Sequence, residues 1–209
     1  LEFRRVLFRS VVLALFATCV FSPALAAPAT IVVLGDSLSA GYGIAQSEAW
    51  PSLLQQRLRQ QGANYSVVNH SISGETTAGG RSRLAATLQK DKPQILIIAL
   101  GANDGLRGLP LTQMQDNLRA MIRAGRQSGA RVLLVGMRLP PNYGPYAEDF
   151  FQRFARLADS EKAAYLPFLL EPLNTRPDLF QNDRLHPTAA AQPLLLEHLW
   201  PALRPLLKK

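Results

Sequence analysis

The stretch that decides the fold is VVLGDSLSAGYG, residues 32–43, in which an apolar strand passes directly into a turn of small residues. The apolar residues here are continuous and branched rather than alternating with polar ones. This is typical of a strand buried on both faces of a parallel sheet. Ligands of such sheets bind in the loops that follow the strands. Ser37 lies in the first of these loops, and it is either a nucleophile or a turn residue.

Short β-rich runs alternate with helical patterns along the rest of the chain. Apolar residues recur at helical spacing around Trp50, Met114, Phe154 and Leu199. This alternation predicts a three-layer α/β/α sandwich around a mainly parallel sheet of about five strands. The strands are predicted at residues 31–34, 67–68, 95–100, 132–135 and 164–166.

Residues 1–26 have the three parts of a secretory signal peptide. Three arginines precede a short apolar run at residues 11–21, and an Ala-Leu-Ala cleavage site ending at Ala26 follows it. A membrane anchor is less favoured, because the run is about half the length that spans a bilayer. We therefore expect one domain at residues 27–209 that is exported to the periplasm or secreted. Residues 1–10 lack an initiator methionine and are interpreted as a cloning or sequencing remnant.

The composition argues against several classes of function. The chain has 209 residues and a formal net charge of +8, which falls to +6 without residues 1–26. Because Cys19, the one cysteine, belongs to the signal peptide, no disulfide or cysteine nucleophile is expected in the domain. The three histidines form no metal-ligand pattern, so we expect neither a metal nor another cofactor. Arg119, Arg123 and Arg126 lack interleaved aromatic residues, which favours a solvated helix face and no nucleic-acid partner.

Polar residues suited to nucleophilic catalysis occur in four segments. A serine becomes a nucleophile beside a general base that an acid orients. Asp183 and His186 are three residues apart, so the carboxylate can reach Nδ1 of the imidazole and leave Nε2 facing Ser37. Oxyanion donors are expected from the backbone N–H groups of Ser37 and Gly74 and from the side-chain amide of Asn103. The segments are GDSL at 35–38, SISGET at 71–76, GAND at 101–104 and DRLH at 183–186.

These four segments, in this order and across nearly the whole domain, resemble the SGNH (GDSL) hydrolase superfamily. The stretches LGDSLSAGYG, GANDGLRGLP and RLPPNYG further resemble its bacterial periplasmic thioesterase, arylesterase and lysophospholipase branch. The resemblance implies a flavodoxin-like fold. It also implies Ser37 as nucleophile in a triad with Asp183 and His186, and an oxyanion hole made by Ser37, Gly74 and Asn103.

The loops flanking this constellation carry residues suited to an acyl chain. Leu106, Leu109, Leu139 and Pro140 are expected to line an apolar groove, and the resemblance implies the same role for these loops. The expected substrates are small molecules: aryl esters, acyl thioesters and single-chain phospholipids. We expect a monomer without a stable membrane anchor.

The same residues exclude one other hydrolase fold and leave two alternative functions open. The α/β-hydrolase elbow G-x-S-x-G is absent, because Ser39 stands where its second glycine would be. Two alternatives stay open: a carbohydrate O-acetylesterase on the same scaffold, and a non-catalytic periplasmic lipid carrier.

Asp36 and Asp104 are expected to hydrogen-bond nearby loop backbone. His70 and His198 are expected to have no part in the function.

Overall fold

The computed structural model describes residues 27–207, which form one five-stranded sheet with helices on both faces. The strands are β1 (Ala29–Gly35), β2 (Tyr65–Asn69), β3 (Ile95–Ala99), β4 (Arg131–Val135) and β5 (Ala164–Leu166). Every neighbouring pair is parallel, in the order β2-β1-β3-β4-β5. The predicted five-stranded, mainly parallel sheet is therefore confirmed.

Two helical layers cover the sheet. Within the described residues the α-helices are α1 (Ser37–Ala40), α2 (Trp50–Gln60), α3 (Thr77–Asp91), α4 (Ala102–Leu106), α5 (Leu111–Gln127), α6 (Pro145–Ser160) and α7 (Gln192–Leu203). Helices α2 and α7 pack on one face of the sheet, and α3, α5 and α6 pack on the other. This is the predicted three-layer α/β/α sandwich.

The strands explain why their apolar runs are continuous. Ile31 and Val33 face the core that α2 and α7 cover, whereas Val32 and Leu34 face the core under α3, α5 and α6. Successive residues of a strand point to opposite faces of the sheet. Because helices cover both faces, all four side chains are fully buried. Since the strands are parallel, their carboxyl ends meet at one edge of the sheet, where the loops with the candidate residues lie.

Besides the short helices α1 and α4, which form within predicted loops, the long helix α3 has no counterpart in the sequence prediction. Helix α3 buries Thr77, Gly80, Leu84, Thr87 and Leu88, so its inward face mixes threonine and glycine with leucine. The apolar periodicity that predicts a helix is weak in this stretch for that reason.

The predicted signal peptide lies outside the described residues. Among residues 27–207, no helix combines the length and the apolar character needed to cross a bilayer.

Candidate active site

Ser37 is the first residue of α1, and only Asp36 separates it from the end of β1. The turn requires Gly35, because a Cβ at this position would lie 2.8 Å from the Ser39 side chain and 2.9 Å from Ser71 Oγ. Asp36 caps the helix, with its carboxylate accepting the Leu38 N–H at 3.1 Å. The turn leaves the Ser37 side chain half-buried at the carboxyl edge of the sheet.

His186 and Asp183 share a narrow loop that precedes α7. An antiparallel bridge between Phe180 and Pro187 closes this loop, and the Gln181 N–H donates to the His186 carbonyl at 2.8 Å. One Asp183 oxygen accepts the N–H groups of Leu185 and His186 at 2.9 and 3.0 Å. The carboxylate is therefore fixed by the backbone of its own loop.

A chain of hydrogen bonds joins this loop to Ser37, 149 residues away in sequence. His186 Nδ1 lies 2.6 Å from Asp183 Oδ2, and His186 Nε2 lies 2.8 Å from Ser37 Oγ. The backbone N–H groups of His186 and Leu185, followed by the His186 side chain, lower the pKa of Asp183 to about 2. An ionised Asp183 can only accept a hydrogen bond, so the imidazole proton lies on Nδ1, which leaves Nε2 as the acceptor that faces the Ser37 hydroxyl.

Gly74, in the loop before α3, lies beside the first turn of α4, which carries Asn103. The Asn103 amide donates to the Glu75 carbonyl at 3.0 Å, which uses one of its two N–H groups. Gly74 has a φ of +79°, which favours glycine, and its carbonyl accepts from Arg107 at 2.8 Å. The Gly74 N–H makes no hydrogen bond to another described residue. Ser37, as the first residue of a helix, leaves its own N–H free of an intrahelical partner.

Asp104 of α4 forms hydrogen bonds to the start of α3, which follows the loop of Gly74. It is 3% exposed and accepts the Thr77 N–H at 2.8 Å and the Thr77 hydroxyl at 2.6 Å. Asn117 donates to the same hydroxyl at 3.1 Å. Asp36 and Asp104 do bond nearby backbone as expected, but the N–H groups belong to the first turns of α1 and α3 rather than to loops. The Asp104 bond joins α4, which carries Asn103, to the start of α3.

A cavity of about 500 Å³ opens at Ser37, His186 and Asn103. Of the residues predicted to bind substrate, Leu106, Leu139 and Pro140 line it. Leu109 does not lie among the lining residues, and its carbonyl instead accepts the Tyr146 hydroxyl at 2.8 Å. The further lining residues that the sequence did not indicate include Met137, Arg138, Phe168, Leu170, Phe180 and Arg184.

A profile of the GDSL-like lipase/acylhydrolase family matches residues 33–193, more than half of the chain. The chain belongs to this family. Esterase TesA of Pseudomonas aeruginosa is 50% identical over 183 residues, or 87% of this chain and 91% of that protein. Thioesterase 1/protease 1/lysophospholipase L1 of Escherichia coli K12 is 40% identical over 182 residues, or 87% and 86% of the two chains. The crystal structure of TesA matches with a TM-score of 0.83 at 50% identity, covering 85% of this chain and 99% of that one.

Membership of the GDSL-like lipase/acylhydrolase family makes the chain an enzyme, an SGNH-type serine hydrolase. The predicted family and the predicted enzyme class are therefore confirmed.

Two residues of this acylhydrolase that the sequence did not indicate hold His186 in place. The Tyr42 ring packs on the His186 ring with centroids 4.4 Å apart. The Gln181 side-chain amide donates to the carbonyls of Tyr42 at 2.7 Å and Pro187 at 3.0 Å, which links the loop after α1 to the loop of His186. These contacts join residues that are far apart in the chain, so no local sequence pattern predicts them.

The other two histidines are engaged outside the cavity. His70 Nε2 lies 2.6 Å from Asp91 Oδ2, and His198 Nε2 lies 3.0 Å from the Phe168 carbonyl. Neither residue lines the cavity. Within residues 27–207 no group of His, Cys, Asp and Glu is arranged to hold a metal ion.

Asp36 gives the acylhydrolase a pH-dependent stability. The carboxyl is 2% exposed, and burial raises its pKa to about 6, against the lowering effects of the Leu38 N–H and His186. Its proton is bound more tightly in the folded protein than in the unfolded chain. The stability that this group contributes is therefore present at low pH and is lost as the pH rises from about 4 to about 6.

We expect Asp36→Asn to be more stable than the parent above pH 6, by about 3 kcal/mol, and equal to it near pH 4. The amide still caps α1 but carries no buried charge. Urea unfolding at pH 4, 5, 6 and 7 measures the difference, with the exposed Asp159→Asn as control. A difference that is constant across this pH range would contradict the assignment.

Proposed function

We propose that the chain is an exported serine esterase and thioesterase that cleaves acyl esters through an acyl-enzyme on Ser37. The observation that carries the proposal is the chain of hydrogen bonds from Asp183 through His186 to Ser37, with distances of 2.6 and 2.8 Å, at the opening of the cavity. Nucleophile, base and orienting acid in this arrangement are what covalent acyl transfer requires.

The proposed reaction has two steps. His186 Nε2 takes the Ser37 proton while Oγ attacks the acyl carbonyl, and the protonated imidazole then gives the proton to the leaving alcohol or thiol. Water activated by the same nitrogen then attacks the acyl-enzyme and releases the carboxylic acid. The N–H groups of Ser37 and Gly74 and the free N–H of Asn103 stabilise the oxyanion in both steps.

The cavity supports acyl chains as substrates. Its walls include Leu106, Leu139, Phe168, Leu170 and Phe180, and its volume of about 500 Å³ suits a small-molecule ligand. Few polar side chains in the cavity can select one acyl group over another. We infer that the enzyme accepts aryl esters, acyl thioesters and lysophospholipids. The names of the relatives, an esterase and a thioesterase/lysophospholipase, agree with this range.

We also propose a cellular location and an oligomeric state for the enzyme. We infer that residues 1–26 direct export and that residues 27–209 act as a monomer in the periplasm or outside the cell.

Hydrolysis of a homologous series of p-nitrophenyl esters, from acetyl to palmitoyl, tests this function. Palmitoyl-CoA and lysophosphatidylcholine are included. We expect kcat/KM to rise by about tenfold or more from acetyl to medium chains, because each methylene buried in an apolar cavity adds binding free energy. A preference for acetyl esters, with cleavage of acetylated sugars, would favour the O-acetylesterase. Binding of lipids without turnover would favour the carrier.

A further inference from the structure

Two arginines line the cavity beside the candidate triad. Arg138 follows β4, and Arg184 lies two residues before His186 in the same loop. Neither guanidinium has a carboxylate partner within residues 27–207. By contrast, Arg83, Arg123 and Arg176 each pair with a carboxylate. The cavity therefore combines apolar walls with two uncompensated positive charges.

Both guanidiniums are placed to receive a group on the substrate. The Arg138 guanidinium stacks over the Phe151 ring at 3.7 Å from its centroid, which orients it and leaves its N–H edge available. Arg184 has a φ of +57°, an unusual backbone conformation for a side chain with a Cβ. Arg184 and His186, which protonates the leaving group, line the same cavity from the same loop.

The surroundings of Arg184 leave room for a large charged group. A second hollow of about 660 Å³ adjoins the cavity, and the two share Asn174, Phe180 and Arg184. The carboxylate in that hollow, Asp178, is held by the Arg176 guanidinium at 2.7 and 2.9 Å, so its charge is compensated. An anion beside Arg184 therefore faces no unpaired carboxylate from this side.

We propose that Arg138 and Arg184 form an anion subsite that binds a phosphate of the leaving group. The inference rests on the proposed function, since it names the chemistry of the substrate's departing half. Planar guanidinium groups match phosphate geometry, while the apolar walls hold the acyl chain. The phosphate comes either from the headgroup of a lysophospholipid or from the nucleotide of an acyl-CoA.

Three substrates with the same acyl chain distinguish the two phosphate sources, and the third, a neutral ester, shows the activity without a phosphate. They are octanoyl-CoA, 1-octanoyl-lysophosphatidylcholine and p-nitrophenyl octanoate, each below its micellar concentration. Arg184→Gln and Arg138→Gln are compared with Arg59→Gln, which removes an exposed arginine on α2 that likewise has no carboxylate partner in the part of the chain that the structure describes. Steady-state kcat and KM are measured at low salt and again with added sodium chloride.

We expect each cavity variant to lower kcat/KM for a phosphate-bearing substrate by about tenfold, mainly through KM, and for the neutral ester by less than about twofold. Added salt should weaken the parent's reaction with that substrate and not its reaction with the neutral ester. A loss confined to octanoyl-CoA identifies the nucleotide phosphates, and a loss confined to the lysophospholipid identifies the headgroup. Either result supports the subsite.

Equal losses on all three substrates would overturn the proposal, because they would mean that the variants disturb His186 rather than binding of the anion. Unchanged kinetics, or a parent that cleaves only the neutral ester, would overturn it too. Arg138→Gln lies outside the His186 loop and keeps the test valid if Arg184→Gln distorts that loop. A parent that cleaves none of the three esters would instead refute the proposed function.

Discussion

The Ser37→Ala variant is expected to lose turnover by about 10⁴- to 10⁶-fold while keeping its fold. The Ser37 hydroxyl is the group that faces His186 Nε2 at 2.8 Å, and no acyl-enzyme forms without it. Alanine is a good helix former at the start of α1, and the side chain is only half-buried, so stability should change little. Initial rates with p-nitrophenyl butyrate measure the loss, and urea unfolding measures the stability.

A covalent probe separates the nucleophile from other causes of inactivity. A fluorophosphonate should label the parent at Ser37, as shown by the mass of the modified peptide, and should leave Ser37→Ala unlabelled. Ser73→Ala is the matched control, since Ser73 is an exposed serine in the neighbouring loop that carries Gly74. Full labelling and turnover in Ser37→Ala would assign the chemistry to another residue.

The sheet was predictable wherever its strands are buried on both faces. The first, third and fourth predicted strands differ from β1, β3 and β4 by only a few residues, because short, continuous, branched apolar runs are typical of strands buried on both faces. Strand β2 is longer than its two-residue prediction. It is an edge strand whose Ser66, Val67 and Val68 are only half-buried, so its apolar run is short.

Three of the candidate site residues were predictable because they follow strands, whereas Asp183 and His186 were indicated by their spacing along the chain. Parallel strands bring their carboxyl ends together, so Ser37 after β1 and Asn103 after β3 line the same cavity although they are far apart in sequence. The residues that sequence reasoning missed or misplaced depend on packing between loops. Gln181 donates to two carbonyls from different segments, and Leu109 lies in the turn between α4 and α5, outside the cavity lining.

The Asp183→Asn variant is expected to lower kcat by about 10³- to 10⁴-fold with little change in KM. Its side-chain oxygen can still accept the N–H groups of Leu185 and His186, so the loop keeps its shape. The amide nitrogen, however, donates to His186 Nδ1, which moves the imidazole proton to Nε2. That nitrogen then points a hydrogen at Ser37 Oγ and cannot accept the serine proton.

The pH dependence of this variant distinguishes orientation of the imidazole from a simple loss of charge. The low pKa of Asp183, about 2, keeps its carboxylate ionised wherever a neutral His186 can act as base. The parent should therefore lose no activity through titration of Asp183 above about pH 4. Raising the pH should not restore the activity of Asp183→Asn, because the variant holds the His186 imidazole in the wrong tautomer. Asp116→Asn makes the same chemical change at an exposed carboxylate that pairs with Arg119 and does not line the cavity, and its kcat should stay within about twofold of the parent. A kcat for Asp183→Asn within about tenfold of the parent would show that the carboxylate does not set the tautomer of His186.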